Sequence, residues 1–298
     1  MADITAALVK ELRERTGSGM MECKRALQET GGDIEAAVEL MRKAGQAKAD
    51  KKASRVAAEG LIAIKQTPGV AAMAEINCET DFVTKNDDFR TFVDAVTQTA
   101  LTHDVADLDA LLAAPMADGQ SVERNRRDCI AKIGENINVR RVARFASDKG
   151  VLGCYLHGTR IGVLVELDGG DAELAKDIAM HIAASRPLCV SAEQVPAGLI
   201  AKEKEIYAAQ ATEEAKDKPA HVIEKIVGKI VEGKLRKYLE SITLLGQAFV
   251  KNPDQSVEEL LGSHQAKIVR FERFELGEGI EKKADNFAAE VMAQVRGD

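Results

Sequence analysis

One order of pattern occurs twice in this chain: an alternating strand, a short turn, a second alternating strand, and then apolar residues at helical spacing. The first copy runs from Leu61 to Leu101 and the second from Val151 to Ser185. In the first, Leu61, Ile62, Ala63 and Ile64 precede the turn Gln66-Thr67-Pro68-Gly69, after which Val70, Ala72, Ala74, Ile76 and Cys78 alternate with Ala71, Met73, Glu75, Asn77 and Glu79. Phe89, Phe92, Val93, Val96 and Ala100 then recur as one helical face. In the second copy, Val151–Leu156 and Ile161–Leu167 flank His157-Gly158-Thr159-Arg160, and a helix from about Asp171 to Ser185 stops before Pro187. A chain that repeats strand, strand, helix in this way is expected to fold as two similar α+β subdomains with antiparallel sheets.

The copies differ at one place. The second passes from strand to helix through the polar Asp168-Gly169-Gly170-Asp171, whereas the first inserts Thr80-Asp81-Phe82-Val83-Thr84-Lys85-Asn86. A Phe in a loop on a rigid support is either a recognition element whose ring projects or, with Val83, a plug folded back over the junction. The residues alone leave both readings open.

The flanking segments are helical. Apolar residues recur at Ile4, Leu8 and Leu12, then Met20, Cys23 and Leu27, then Ile34, Ala37, Val38 and Met41, which predicts three short helices over residues 1–45. Thr16-Gly17-Ser18-Gly19 supplies a turn and a Ser cap for the second helix, and Gly31-Gly32-Asp33 ends it and caps the third. Gly45 to Arg55 is rich in Ala and Lys, as a linker or an exposed helix extension would be. A short helix near Leu108–Leu112, another from about Ser121 to Gly134, and a strand over Ile137–Phe145 complete the first subdomain. Residues 192–240 interrupt the second: Ile223, Ile226, Val227, Ile230 and Val231 form a stripe, Leu199 and Ile206 stand a heptad apart, and Glu213–Pro219 turns between, so an antiparallel helical hairpin is expected. After Ile242–Phe249, a helix near Val257–Leu261 and a strand near Ile268–Phe274, the chain ends in an amphipathic helix carrying Ala284, Phe287, Ala288, Val291, Met292 and Val295.

Composition narrows the function. Forty-eight acidic against 41 basic residues leave a net charge of −7, and Trp is absent, so neither phosphate neutralisation nor base stacking favours a direct nucleic-acid ligand. Every apolar run is shorter than the ~18 residues of a membrane span, and the first residues lack a signal-peptide pattern, so a cytoplasmic location is expected. The cysteines Cys23, Cys78, Cys129, Cys154 and Cys189 lie singly in periodic segments and read as small reduced core residues. His103, His157, His181, His221 and His264 show no metal-ligand spacing, so neither a metal nor a cofactor is expected. Thr16–Lys24 has glycines, a helix start and a lysine, but it lacks both the preceding strand and the G-x-x-x-x-G-K-[ST] spacing of a phosphate loop.

Two longer segments carry a resemblance. Leu12-Arg13-Glu14-Arg15-Thr16-Gly17-Ser18-Gly19-Met20-Met21-Glu22-Cys23-Lys24-Arg25-Ala26-Leu27 and Glu75-Ile76-Asn77-Cys78-Glu79-Thr80-Asp81-Phe82-Val83 closely resemble the signature segments of the bacterial elongation factor Ts family. Ala131–Arg141, His157–Val165 and Glu275–Lys282 match further, in the family's order and across essentially the whole chain. The resemblance implies a guanine-nucleotide exchange factor, not an enzyme, that binds the GTPase elongation factor Tu in its GDP and nucleotide-free forms and promotes loss of GDP and Mg²⁺. It implies an N-terminal three-helix module of the ubiquitin-associated (UBA-like) type with its linker (1–55), a first core subdomain (56–146), a second (147–276) with a coiled-coil insertion at about 192–240, and a C-terminal helical module (277–298). By position, Thr80, Asp81, Phe82 and Val83 would contact the partner and dislodge its Mg²⁺, the Phe ring wedging between helices. Met20, Lys24, Ile133, Gly134, His157 and Val250 would hold the partner elsewhere. Thr84 stands where the family usually has Ala or Ser. The rival readings are a helical adaptor for a ribosomal or ubiquitin-like partner without nucleotide exchange, and an α+β enzyme using Asp81 and His157 as acid and base.

Overall fold

The computed structural model of the chain describes residues 4–214 and 220–281. The amphipathic helix expected over 284–295 and the turn expected at 215–219 lie outside the described residues. The fold is a mixture of helices and small sheets, the α+β class that the repeated pattern predicts. By compactness it divides into two units: Met1–Ala63 with Ala74–Val142 and Glu275–Asp298, and Ile64–Met73 with Ala143–Phe274.

The first unit begins with α1 (Ala6–Thr16), α2 (Met20–Glu29) and α3 (Ile34–Lys52), which bury Val9, Leu12, Cys23, Ala26, Leu27 and Ala37 against one another. Gly17, in the left-handed region at φ 65°, closes α1 by donating to the Arg13 carbonyl. Ser18 does not cap α2: the cap position is Gly19, which has no side chain to offer, while the Ser18 carbonyl accepts from the Cys23 thiol. Asp33 caps α3 as expected, accepting from Ala36 N at 3.0 Å. The Ala- and Lys-rich stretch extends α3 to Lys52, in keeping with the helix propensity of those residues.

Next along the chain, without regard to the division into units, come β1 (Glu59–Thr67), β2 (Val70–Cys78), α4 (Asp87–Thr102), α5 (Leu108–Ala113), α6 (Val122–Ile133) and β3 (Ile137–Ala146), the strands ordered β1-β2-β3. The predicted face of α4, Phe89, Phe92, Val93, Val96 and Ala100, is buried. As the middle strand, β2 is buried on both faces, so Glu75 and Asn77, the polar members of its alternation, are buried too. Glu75 is satisfied by Arg140, Arg141 and the Gly277 amide. Burial alone would raise its pKa, but the Gly277 amide and the two guanidinium groups outweigh that and hold it below the usual carboxylate range.

The second unit contains β4 (Val151–His157), β5 (Ile161–Asp168), α7 (Ala172–Ser185), α8 (Ala197–Glu214), α9 (Ala220–Ile242), β6 (Ala248–Phe249), β7 (Asn252–Ser256), α10 (Val257–Ser263) and β8 (Lys267–Glu275). The order β4-β5-β8 makes one sheet, with β4 and β5 antiparallel from Val151↔Leu167 to His157↔Ile161. Its core gathers Val163, Val165 and Leu167 of β5 with Leu174, Ile178 and Ile182 of α7. The expected helical hairpin is present as α8 and α9, joined by Tyr207 against Tyr238 edge-on at 6.5 Å and by Lys234 to Glu214 at 3.1 Å. The strand β7, of sequence Asn-Pro-Asp-Gln-Ser, carries no alternating pattern and was not legible; it exists because it pairs with β6 and leads into the capping box of Ser256 and Glu259 on α10.

Gly153 of β4 lets α7 lie directly on the strand, since a Cβ there would stand 2.4 Å from the Ala175 carbonyl oxygen. We predict that Gly153→Ala costs about 1–3 kcal/mol, as overpacking against backbone does. Urea unfolding would show a lowered midpoint; an unchanged one would mean that α7 lifts away freely.

Candidate functional site

The loop after β2 is built from its ends inward. At its far end Asn86 caps α4, accepting from Asp88 N at 2.9 Å and Phe89 N at 3.2 Å. Val83–Lys85 forms one 3-10 turn, with Lys85 N donating to the Phe82 carbonyl at 3.1 Å and Asn86 N to the Val83 carbonyl at 3.0 Å. Thr84 uses its hydroxyl to donate to the Asp81 carbonyl at 2.6 Å. Arg90 Nε donates to the Thr84 carbonyl at 2.9 Å.

The near end is fixed by two carboxylates exchanging hydrogen bonds. Glu135 accepts from Glu79 N at 3.1 Å and Thr80 N at 3.0 Å with one oxygen, and from the Thr80 hydroxyl at 2.6 Å with the other. In return Glu79 accepts from Asn136 N at 2.6 Å. Asn136 is itself held, donating from Nδ2 to the Arg55 carbonyl at 2.7 Å. The hand-over requires Gly134: at φ 89° it ends α6 in the left-handed region, donating to the Ile130 carbonyl at 2.9 Å, and its own carbonyl accepts from Lys52 Nζ. Charge-assisted bonds to backbone amides of this kind are the stronger class.

Between these anchors the two apolar residues part company. Val83 is buried, whereas Phe82 is 76% exposed and Asp81 beside it is exposed as well. Of the two readings of the loop, projection holds for the Phe and the plug for the Val. Thr80, Asp81, Phe82 and Val83 are thereby brought together with half-buried Ile133 and exposed Gly134. Beneath them burial pushes the Cys78 thiol up to about 12, with the Glu135 charge adding to the effect, so it stays protonated as a core residue.

Met20 and Lys24 are exposed on α2, Met20 to 48% and the adjacent Met21 to 77%. His157 and Val250 belong to the second unit. His157 ends β4, exposed, with its ring stacked on Tyr155 at 6.3 Å and its Nδ1 within 3.3 Å of the Tyr155 hydroxyl. Val250, 45% exposed, follows β6, and its amide donates to His181 Nδ1 at 3.2 Å. That bond makes Nδ1 the acceptor, so Nε2–H donates to Gln247 Oε1 at 3.0 Å, and Gln247 Nε2 donates to the Ser241 carbonyl at 2.8 Å. Burial lowers the His181 pKa, opposed in part by Gln247. Asp81 belongs to the first unit and His157 to the second.

The sequence pointed to the loop and to Val250 but not to the groups that hold them: Glu79, Glu135 and Asn136 behind the loop, His181 and Gln247 behind Val250. Among the described residues no group of three His, Cys, Asp or Glu could hold a metal ion, and no helix is long and apolar enough to cross a membrane.

Residues 79–278 match the family model described as elongation factor TS. The chain is 62% identical over 295 residues to elongation factor Ts of Methylococcus capsulatus, covering 98% of this chain and 99% of the relative. It is 60% identical to elongation factor Ts of Thioalkalivibrio sulfidiphilus, covering 99% of each chain, and 57% identical to that of Halorhodospira halophila, covering 98% and 99%.

Two outcomes are expected from the supports. Glu135→Ala leaves the amides of Glu79 and Thr80 without their acceptor and should cost about 1–3 kcal/mol; hydrogen exchange would show faster exchange confined to Glu79–Asn86, and unchanged protection there would contradict the assignment. For His181, an unfolded imidazole titrates near ~6.5 while the buried one titrates lower, so between the two values only the unfolded chain takes up the proton and stability falls as pH drops below about 6.5. The urea midpoint should therefore drop between pH 7.5 and pH 5.5 by more in the native protein than in His181→Gln; equal drops would show that His181 is not the group responsible.

Proposed function

The chain belongs to the elongation factor Ts family and so has a role in translation elongation, and within that role we propose that it is a guanine-nucleotide exchange factor for the GTPase elongation factor Tu. The observation that carries the proposal is the exposed ring of Phe82 on a loop fixed at both ends. A large apolar side chain held in water by a hydrogen-bonded frame has an unsatisfied drive to be buried, and none of that drive is lost in ordering the loop first.

In this reading Phe82 enters between helices of the partner's nucleotide domain. Thr80, Asp81 and Val83 hold the approach, and the movement loosens the site of Mg²⁺, the ion that neutralises the nucleotide phosphates. Ile133 and Gly134 flank the same contact, while Met20, Lys24, His157 and Val250 are further points of attachment. Residues 1–55 serve as the UBA-like module with its linker, 56–146 and 147–276 as the two core subdomains, and 277–298 as a C-terminal helical module. The metal and the nucleotide belong to the partner, and the chain performs no covalent step. A factor and a nucleotide that each weaken the other's hold on one GTPase do so by the same ratio, so tighter binding to the nucleotide-free form is itself the driving force for GDP release. The work belongs in the cytoplasm, where that partner operates.

Burial of one Phe side chain supplies about 1.5–3 kcal/mol, equivalent to roughly ten- to a hundredfold. Phe82→Ala should slow stimulated release of a fluorescent GDP from the cognate GTPase by about that factor in stopped flow, with a thermal midpoint close to that of the native protein. Native protein that bound the GTPase without releasing GDP would instead favour the adaptor reading, and an unchanged rate in Phe82→Ala would remove the wedge.

A further inference from the structure

A different charged cluster lies within the first unit, where the N-terminal helices meet α6. A cavity of about 400 Å³ there is lined by Arg15 of α1, Arg42 of α3, and Arg124 and Lys132 of α6. Four positive side chains from three helices face a single lining carboxylate, Asp128. Asp128 pairs with Arg124 at 3.1 Å, so one carboxylate charge among the lining residues stands against four cations.

The charges are only loosely spoken for. Arg15 pairs with Glu35 and Lys132 with Asp88, but these carboxylates are 77% and 45% exposed, and exposed pairs of this sort exchange readily for a better anion. Arg124 has a side chain only 15% exposed, and its Nε is buried with no hydrogen-bond acceptor. A buried guanidinium N–H without an acceptor is costly. Ser18 also lines the cavity, next to the first turn of α2, whose cap residue Gly19 offers no side-chain acceptor. Met41 and Ala131 supply an apolar wall.

We propose that this cavity binds a phosphate chain, carried by a small molecule of up to nucleotide size. Its volume lies in the range of small-ligand sites, and guanidinium forks at several angles suit phosphate oxygens better than a single planar carboxylate. A bound polyphosphate would join α1 and α3 to α6, so its affinity appears as added stability of the N-terminal helices. The inference does not rest on the exchange reading, because it uses neither Phe82 nor any residue assigned to the partner contact.

Titration calorimetry on the full chain at low ionic strength, with sodium tripolyphosphate and separately with ATP as probes, tests it. Saturable one-to-one binding with a Kd below ~1 mM is expected, weakened by raised salt. Arg42→Ala, at an exposed position, and Arg124→Gln should each weaken it about tenfold or more, whereas Lys176→Ala in the second unit should not. Tighter binding of ATP than of tripolyphosphate would mean that the apolar wall takes the nucleoside; equal binding would mean that the phosphate chain alone is recognised, and either result upholds the site. Should Arg124→Gln fail to fold, Arg42→Ala still decides. Absence of saturable heat and of any rise in thermal midpoint up to about 10 mM probe, or undiminished binding in Arg42→Ala, would overturn the proposal.

Discussion

Two glutamates that trade hydrogen bonds across the end of a helix set the rest of the site. Glu135 takes the amides of Glu79 and Thr80, Glu79 takes the amide of Asn136, and each carboxylate thus fixes the backbone that carries the other. All three bonds are made just past the end of α6 at Ile133, and the left-handed Gly134 is what stops the helix there. With its near end tied in this way and its far end capped by Asn86, the loop has no slack with which to fold Phe82 inward; Val83 takes the available place in the core instead. The exposure of one aromatic ring is therefore a consequence of backbone satisfaction two and three residues earlier and of a helix cap four residues later.

The same economy recurs in the second unit with different chemistry. A buried neutral histidine, His181, accepts from the amide of Val250 and donates to Gln247, so an exposed valine is aimed by a residue far away in sequence. Both arrangements place an apolar side chain in water on a backbone whose polar groups are already paired. Such surfaces lose little conformational freedom on docking, the property that the proposed exchange role calls for.

Much of this was legible in the sequence. The repeated strand, strand, helix order gave the class; the Phe and Val stripe of α4 gave its buried face; Asp33, Ser121 and Asp171 marked helix starts. The Thr80–Asn86 insertion, seen as the one difference between the copies, proved to be the loop with the exposed ring. What failed to show was everything held by long-range polar contact. Glu135 lies 55 residues from Thr80, and Gln247 lies 66 from His181, so no local spacing could announce either. Glu75 and Asn77 alternate as a half-exposed strand would, and only the position of β2 between β1 and β3 buries them. Ser18 looked like a cap, and Gly19 displaced it because the turn ends one residue later.

A double-mutant cycle on Glu135→Ala and Phe82→Ala, read as the stimulated rate of GDP release from the cognate GTPase, addresses the central claim most directly. If Glu135 acts by holding Phe82 in place, its replacement slows release in the native background and has little further effect once the ring is gone, leaving a coupling as large as the single effect. Independent, additive losses would contradict the account, because they would show that the carboxylate and the ring serve the partner separately.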